Sequence, residues 1–238
     1  MSGQTSSEYK YIGTRSIRPD GADKVTGRAN YGADFFLPGM VHGKILRSPL
    51  AHAKILSIDV SAALAMPGVL SIATSEDLPD MNAGTESAGE GEVDFYDFSC
   101  NVLAREKVLY HGQAVAAVAA TSEAIARSAL DKIVVDYEEL TPVLDLLGAQ
   151  KSDSPLLHKN QTTEGPKGKG KTPSNIAKQM MLARGNVDEG FSEADVVVEK
   201  TFISPIVHQG YIEPHACVVR TNESNQIDVW CSSQGHFM

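Results

Sequence analysis

Apolar residues recur in short runs between residues 25 and 147, and most of these runs alternate with polar residues or end at Gly and Pro. Such runs are typical of β-strands, whose successive side chains point to opposite faces of a sheet. The run at 114–120 contains only apolar residues and predicts the buried centre of the sheet. We therefore predict strands at 41–46, 53–58, 69–72, 108–110, 114–120 and 133–137.

Two helices are predicted within the same region. Residues 122–132 place an apolar stripe that includes Ile125 and Ala129 toward the sheet, and Thr121 can cap the first turn. Because this helix lies between two predicted strands, the three elements are expected to form a strand–helix–strand crossover. A second, shorter helix is predicted at 61–66, where alanines favour helix.

Two polar segments interrupt this order. Residues 79–101 carry six acidic residues and no Lys or Arg, which predicts an exposed, solvated insertion. A calcium site is the weaker alternative, because the acids lack the spacing of an EF-hand. Residues 151–184 are rich in Ser, Thr, Gly, Pro and Lys and read as a connection between domains.

This connection contains a formal match to the phosphate-binding pattern G-x-x-x-x-G-K-T, from Gly165 to Thr172. Such a loop needs a buried strand before it and a helix after it, so that backbone N–H groups converge on the phosphates. The preceding residues are too polar for a buried strand, and Pro173 disfavours a helical conformation at Thr172. We therefore interpret the segment as a basic, flexible linker rather than a nucleotide site.

His208, Glu213 and His215 lie in one short stretch, and His236 follows further on. Three imidazoles and a carboxylate would suit zinc, but Gly210 and Pro214 break any helix that could bring His208 and His215 onto one face. The favoured interpretation is structural, with Glu213 and the histidines hydrogen-bonded to backbone near a domain centre. The sequence also lacks a Ser–His–Asp order and a G-x-S-x-G elbow.

The last alternating pattern predicts a β-hairpin near the C-terminus, with strands at 215–219 and 227–231 and a turn at 222–225. An isolated two-stranded hairpin is marginal in water. We therefore expect further strands or helices to complete it, and the sequence to stop inside a larger domain.

Composition narrows the class of protein. The 238 residues are 42% hydrophobic, which is enough to build a globular core, and the net charge of −9 argues against nucleic-acid binding. No apolar run approaches the roughly 20 residues that cross a bilayer, and residues 1–10 are polar, so a cytoplasmic location without a membrane span is expected. The three cysteines lack metal-site spacing and predict reduced, mostly buried thiols.

An ordered series of short motifs resembles the large, molybdenum-binding subunit of the molybdenum hydroxylases, the xanthine dehydrogenase and aldehyde oxidase family. The group Glu213-Pro214-His215 resembles the opening of that family's molybdopterin-binding domain. The other motifs lie, in chain order, at residues 18–21, 24–27, 31–34, 38–40, 43, 47–49, 51–53, 58–59, 67–69, 110–116, 135–140, 194–202 and 208–215.

This resemblance implies an α+β chain in which an α/β hammerhead domain precedes the start of a molybdopterin-binding domain. The implied division is an N-terminal tail at 1–17, the hammerhead domain at 18–147, a polar connecting segment at 148–190, and the incomplete molybdopterin-binding domain at 191–238.

Gln234 follows the predicted strand at 227–231 and the pair Ser232-Ser233. It is similar to the family's glutamine whose side-chain amide donates a hydrogen bond to an oxygen ligand of the molybdenum. The resemblance therefore implies a cofactor-binding role for Gln234, since an amide is an oriented, uncharged donor. The alternative is a polar residue that finishes an edge strand. Within this chain we assign neither a catalytic residue nor a residue that ligates a metal.

The resemblance implies an oxidoreductase that uses a molybdopterin-type molybdenum cofactor to hydroxylate an aldehyde, an N-heterocycle or a related small molecule with oxygen derived from water. Iron–sulfur clusters and FAD would belong to partner subunits, in an assembly that could be a dimer of heterotrimers. The base and the remaining cofactor loops are expected beyond Met238, so the chain alone is expected to be inactive. The alternative is a non-catalytic, hammerhead-type structural or interaction module.

Overall fold

The computed structural model describes residues 11–79, 85–88 and 91–233. Contacts divide the described residues into two compact units: one contains those up to Pro38 together with those from Ile206 to Ser233, and the other contains those between Gly39 and Pro205. The content is mixed helix and small sheets, so the predicted α+β class is confirmed.

The described strands form small antiparallel sheets and the described helices are short. The strands are β1 (His42–Arg47), β2 (Ala53–Asp59), β3 (Val69–Ala73), β4 (Thr85–Ala88), β5 (Gly91–Asp94), β6 (Lys107–Val108), β7 (Ala114–Ala120), β8 (Val134–Glu139), β9 (Thr162–Gly165), β10 (Gly168–Pro173), β11 (Cys217–Thr221) and β12 (Ile227–Cys231). The helices are α1 (Gly21–Thr26), α2 (Ser61–Leu64), α3 (Phe95–Val102), α4 (Glu123–Leu130), α5 (Leu146–Ala149) and α6 (Val187–Glu193).

Strand β7 is the centre of the three-stranded sheet β1-β7-β3, as its uniformly apolar sequence predicted. Its two faces enter two different cores. Ala116, Val118 and Ala120 belong to the cluster beneath α4, whereas Val115 packs with Ala53 and other residues of a second cluster. A strand buried on both faces requires the apolar side chains that this strand carries.

Helix α4 lies against β1 and β7, and its fully buried Ala126 and Ala129 allow a close approach to the sheet. The predicted helix is confirmed, but its cap is Ser122 rather than Thr121, because the Ser122 hydroxyl accepts the N–H of Ile125 at 3.3 Å. The short predicted helix at 61–66 is also confirmed, as α2.

A second three-stranded sheet has the order β6-β2-β8. The predicted order of strand, helix and strand is therefore present in β7, α4 and β8, but the two strands lie in different sheets. The expected crossover within one sheet was wrong. Local periodicity predicts each strand, whereas the choice of partner is made by residues distant in sequence.

The acidic segment is more ordered than predicted in its described part. Strands β4 and β5 form an antiparallel hairpin, and α3 follows directly. The Asp94 carboxylate caps α3 by accepting the N–H groups of Tyr96 at 2.9 Å and Asp97 at 3.2 Å. The prediction of a solvated loop failed here because one acidic residue serves as a helix cap.

The prediction of a flexible linker across the phosphate-loop pattern was also wrong. Residues 162–173 form the antiparallel hairpin β9–β10, and Lys171 lies on β10. Asn175, which follows the hairpin, links the chain to the segment that precedes it. Its side chain accepts the N–H of Leu157 at 3.0 Å and donates to the Pro155 carbonyl at 2.9 Å. Polar side chains here stabilise an ordered connection.

Within residues 11–79, 85–88 and 91–233, no helix has the length and apolarity to cross a membrane. From Ala194 to Ala216 the chain is without regular secondary structure. It nevertheless carries several large apolar residues, and Ile206 and Ile212 are fully exposed.

Candidate functional site

An open groove of about 430 Å³ lies beside the end of β12 in the unit that contains Ile206 and the following residues. Its lining consists of Asn30, Tyr31, Gly32, Phe35, Glu213, Val229, Trp230, Cys231, Ser232 and Ser233.

The predicted hairpin is confirmed and supports this groove. Strands β11 and β12 pair in an unbroken antiparallel register, from Cys217 opposite Cys231 to Thr221 opposite Ile227. The turn is closed by Asn222, whose N–H donates to the Gln226 carbonyl at 2.9 Å and whose side-chain oxygen accepts the Gln226 N–H at 3.0 Å. The hairpin therefore fixes the position at which β12 ends and Ser232 follows it.

Glu213 joins three segments of the groove. Its Oε1 accepts a hydrogen bond from the Ser232 hydroxyl at 2.6 Å and a longer one from the Gly32 N–H at 3.4 Å. A short bond to a carboxylate is stronger than one between neutral groups. The carboxylate thus holds the residue that follows β12 against the 3₁₀ turn Gly32–Asp34.

Gly32 is buried and packs too closely for any side chain. A Cβ atom there would lie 2.8 Å from the Ala216 carbonyl oxygen and 3.0 Å from the Ser232 hydroxyl oxygen. Both distances are shorter than ordinary carbon–oxygen contact. Glycine is therefore required at this position by space.

Trp230 forms the apolar side of the groove. Its ring stacks on Phe35 with 5.9 Å between centroids, and the Arg220 guanidinium lies 5.4 Å from the Trp230 ring centroid. Arg220 also pairs with Asp228 at 2.7 Å, on the facing strand. The cation over the ring and the cross-strand ion pair together hold Trp230 in place.

The structural interpretation of the histidine group is confirmed for the two residues whose hydrogen bonds to backbone are described. Glu213 accepts from the Gly32 N–H, and His208 Nδ1 accepts from the Gly210 N–H at 3.0 Å. The rings of His208 and His215 both contact Tyr211, at centroid distances of 5.4 and 5.3 Å. The aromatic contacts give His215 a packing role.

No group of three or more His, Cys, Asp or Glu side chains that could hold a metal ion occurs within residues 11–79, 85–88 and 91–233. Gln234 and His236 lie outside these residues, so their assignments stay predictions. The prediction of mostly buried thiols was wrong, since Cys217 is exposed and Cys100 and Cys231 are half-buried.

Sequence reasoning missed Gly32 and Ser232 as parts of this site. Gly32 is separated from Glu213 by most of the chain, so no local pattern connects them. For Ser232 the sequence offered one signal, which is its position directly after an alternating strand. Hydroxyl side chains at such positions often form hydrogen bonds with nearby polar groups.

Two family models match the chain in succession. Residues 26–141 match the a/b hammerhead domain of aldehyde oxidase and xanthine dehydrogenase. Residues 169–238 match the molybdopterin cofactor-binding domain.

Curated relatives agree with these matches. The chain is 30% identical over 227 residues to the nicotinate dehydrogenase large molybdopterin subunit of Eubacterium barkeri, covering 95% of this chain and 48% of that protein. It is 32% identical over 236 residues to the carbon monoxide dehydrogenase large chain of Afipia carboxidovorans, covering 98% of this chain and 28% of that protein. The chain thus spans at most about half the length of these relatives.

Solved structures of similar proteins have the same fold. The reconstituted CO dehydrogenase from Oligotropha carboxidovorans superposes with a TM-score of 0.76 at 31% identity, over 92% of this chain and 27% of that chain. The aldehyde oxidoreductase from Desulfovibrio gigas superposes with a TM-score of 0.73 at 30% identity, over 89% of this chain and 22% of that chain. The order of the two domain types and the shared fold lead to one conclusion: this chain belongs to the family of molybdenum-binding large subunits of the xanthine dehydrogenase and aldehyde oxidase type.

Proposed function

We propose that this chain is the N-terminal part of a molybdenum hydroxylase subunit, which hydroxylates an aldehyde, an N-heterocycle or a related small molecule with oxygen derived from water. The observation that carries the proposal is the succession of a hammerhead match and a molybdopterin-binding match in one chain. The similar proteins include dehydrogenases of nicotinate, xanthine and carbon monoxide, so the substrate is proposed only as a class.

Gln234 is proposed as the residue of this chain that binds the cofactor. It follows the described residues Ser232 and Ser233 directly in the sequence. Its carboxamide would donate a hydrogen bond to an oxygen atom of the cofactor, and it would do so at any pH because it has no proton equilibrium of its own. When bound, the molybdenum cofactor would supply the two-electron oxidation chemistry.

The residues around the end of β12 fit a group held by hydrogen bonds. The groove presents the amide of Asn30 and the hydroxyls of Tyr31 and Ser232. Hydroxyls and amides recognise the polar edge of an organic cofactor, whereas a metal bound directly by protein requires clustered His, Cys or carboxylate ligands. Such a cluster is absent from residues 11–79, 85–88 and 91–233.

The remaining organisation is proposed on the same basis. The tail would end at residue 17, the hammerhead domain at residue 147 and the connecting segment at residue 190. Iron–sulfur and FAD subunits would carry electrons away, in a cytoplasmic complex that could be a dimer of heterotrimers. This chain by itself would not turn over substrate.

The decisive experiment measures molybdenum and pterin in the complete subunit, purified together with any subunits that accompany it. We expect about one molybdenum and one pterin per subunit, a stoichiometry set by one cofactor site. The Gln234→Ala variant is expected to lose activity, by about 10²–10³-fold in kcat if its amide acts as an oxyanion-type donor. Exposed Gln226 on the hairpin provides the matched control, Gln226→Ala.

A complete, folded and soluble protein without molybdenum or pterin would contradict the proposal. That result would favour the non-catalytic module. Equal activity of Gln234→Ala and Gln226→Ala, in protein that contains molybdenum, would contradict only the role of Gln234.

A further inference from the structure

We infer that Glu213 is a positioning residue for the cofactor site. It holds Ser232 and Gly32 together, and so fixes the start of the segment that carries Gln234. The inference rests on the role proposed above for Gln234 and adds a residue that determines where its amide is presented.

The first argument is the hydrogen bonding of one carboxylate oxygen. Glu213 Oε1 accepts from the Ser232 hydroxyl at 2.6 Å and from the Gly32 N–H at 3.4 Å. Ser232 is the first residue after β12, and Gly32 begins the 3₁₀ turn on the other side of the groove. One side chain therefore links both walls.

The second argument is the packing behind these bonds. The space beside Gly32 is closed by the Ala216 carbonyl oxygen and the Ser232 hydroxyl oxygen, at 2.8 and 3.0 Å from where a Cβ would lie. A side chain at position 32 would therefore crowd the Ser232 hydroxyl. The absence of a Cβ at Gly32 leaves room for the hydrogen bond that Glu213 accepts from Ser232.

The third argument is the short connection to Gln234. Only Ser233 separates Ser232 from Gln234, and two residues of extended chain span at most about 7 Å. The position of Ser232 therefore limits where the Gln234 side chain begins. A hydrogen-bond donor that is misplaced by about 1 Å can lose about 100-fold in rate, so small shifts at Ser232 matter.

A role for Glu213 in proton transfer fits the structure less well. Its Oε1 already accepts two hydrogen bonds from the protein itself. Accepting a proton would remove the negative charge that strengthens both of these hydrogen bonds. The contacts assign Glu213 to holding the segment.

The test has two parts, and the first uses the complete subunit without cofactor. Glu213→Gln and Ser232→Ala remove the charged acceptor and the donor respectively, while exposed Glu223→Gln in the hairpin turn repeats the first change as a control. We expect the rate of amide hydrogen exchange at residues 30–34 and 229–233 to rise about tenfold in both test variants, because each variant loses one charge-assisted hydrogen bond. The control should match the parent chain.

The second part uses the complete subunit with its partners. Glu213→Gln is expected to retain molybdenum and KM but to lower kcat by about 10-fold or more. If Glu213 acts through Gln234, adding Glu213→Gln to Gln234→Ala will cause no further loss of kcat. Non-additivity of this kind is the signature of two residues that act as a unit.

The negative results distinguish the role of Glu213 from the proposed function. Unchanged hydrogen exchange, or an additive double variant in protein that contains molybdenum, would overturn the role of Glu213 and leave the proposed function intact. Absence of molybdenum from the parent enzyme would instead overturn the proposed function, and the positioning role with it.

Discussion

Gly32 illustrates how one residue without a side chain shapes the groove. An added methyl group would lie 2.8 Å from the Ala216 carbonyl oxygen. We expect Gly32→Ala to lower the free energy of unfolding by about 1–3 kcal/mol, the usual effect of overpacking. Urea unfolding followed by Trp230 fluorescence measures it, because Trp230 lines the same groove.

Gly43 provides the matched control for this prediction. It lies on β1, and a Cβ there would meet no heavy atom within 4 Å. We expect Gly43→Ala to be neutral or slightly stabilising, since alanine restricts the unfolded chain more than glycine does. Equal destabilisation by the two variants would contradict the steric account of Gly32.

For single residues, the sequence predicted the kind of interaction that a side chain makes better than the residue with which it interacts. The expectation that Glu213 bonds to backbone is confirmed, because a half-buried carboxylate must find donors. Which donor it finds could not be predicted, since Gly32 is brought to it only by the folded chain. The role of Gln234 stays a prediction.

Among the elements, α4 is tied to β1 through Glu123. Its carboxylate lies 2.8 Å from Lys44 Nζ on β1 and 3.0 Å from the Arg127 guanidinium. The hydrogen bond from Lys44, followed by that from Arg127, lowers the pKa of Glu123. A lowered pKa in the folded state means that this contribution to stability is present above the unfolded pKa and is lost as pH falls through the folded value.

We therefore expect Glu123→Gln to lower the melting temperature slightly at pH 7 and low salt, and to have no effect once the pH is below the pKa of Glu123. The effect is small because the side chains are exposed and screened by salt. Thermal unfolding at several pH values measures it, with exposed Glu139→Gln as the control. A difference that persists in acid would show that charge is not its cause.

The register of β11 and β12 predicts that Cys217 and Cys231 lie close enough to form a disulfide. Asn222 and Gln226 form a hydrogen-bonded pair, so the alternation along the ladder makes Cys217 and Cys231 a pair without hydrogen bonds. Cα atoms of such pairs lie about 4.5 Å apart, within the range that a disulfide spans.

We expect a small-molecule disulfide reagent to join Cys217 to Cys231. The two thiols would lose two protons and two electrons, and the reagent would be reduced to its thiols. Mass spectrometry of unreduced peptides detects the link. Cys100 should remain a thiol, because burial raises its pKa and leaves less of the reactive thiolate. Failure of Cys217 and Cys231 to link would contradict the register, and a link that involves Cys100 would contradict the protecting effect of its burial.

Elements with strong local periodicity were predicted, and elements built by polar residues were missed. The apolar run of β7 and the capped helix α4 were identified from their own residues. Hairpin β9–β10 was missed because Gly and Lys are uncommon in strands, and α3 because its acidic surroundings outweighed the cap at Asp94. Sheet partners could not be predicted, since each strand meets residues far along the chain.

For the whole molecule, the most unusual feature is the number of large apolar side chains that are exposed between Ala194 and Ala216. Ile206 and Ile212 are fully exposed, and Phe202 and Ile203 are nearly so. Side chains of this kind are usually buried in folded proteins. We expect the chain to bind a fluorescent dye that is specific for apolar surface.

Serine substitutions at Ile206 and Ile212 test this expectation. They should reduce dye fluorescence without changing the melting temperature, because exposed side chains contribute little to stability. The neighbouring Ser204→Ala variant is the control. Equal dye binding by the control and by both serine variants would show that the dye binds elsewhere.

The pairing of distant strands has a consequence for synthesis on the ribosome. Ile45 of β1 pairs with Ala117 of β7, and Ile55 of β2 pairs with Tyr137 of β8. At about 5–20 residues per second, the earlier strands emerge on the order of several seconds before their partners exist. During that interval their unpaired edges are open to other nascent chains, so slower translation would increase aggregation and a chaperone that covers β1 and β2 would raise the yield of folded protein.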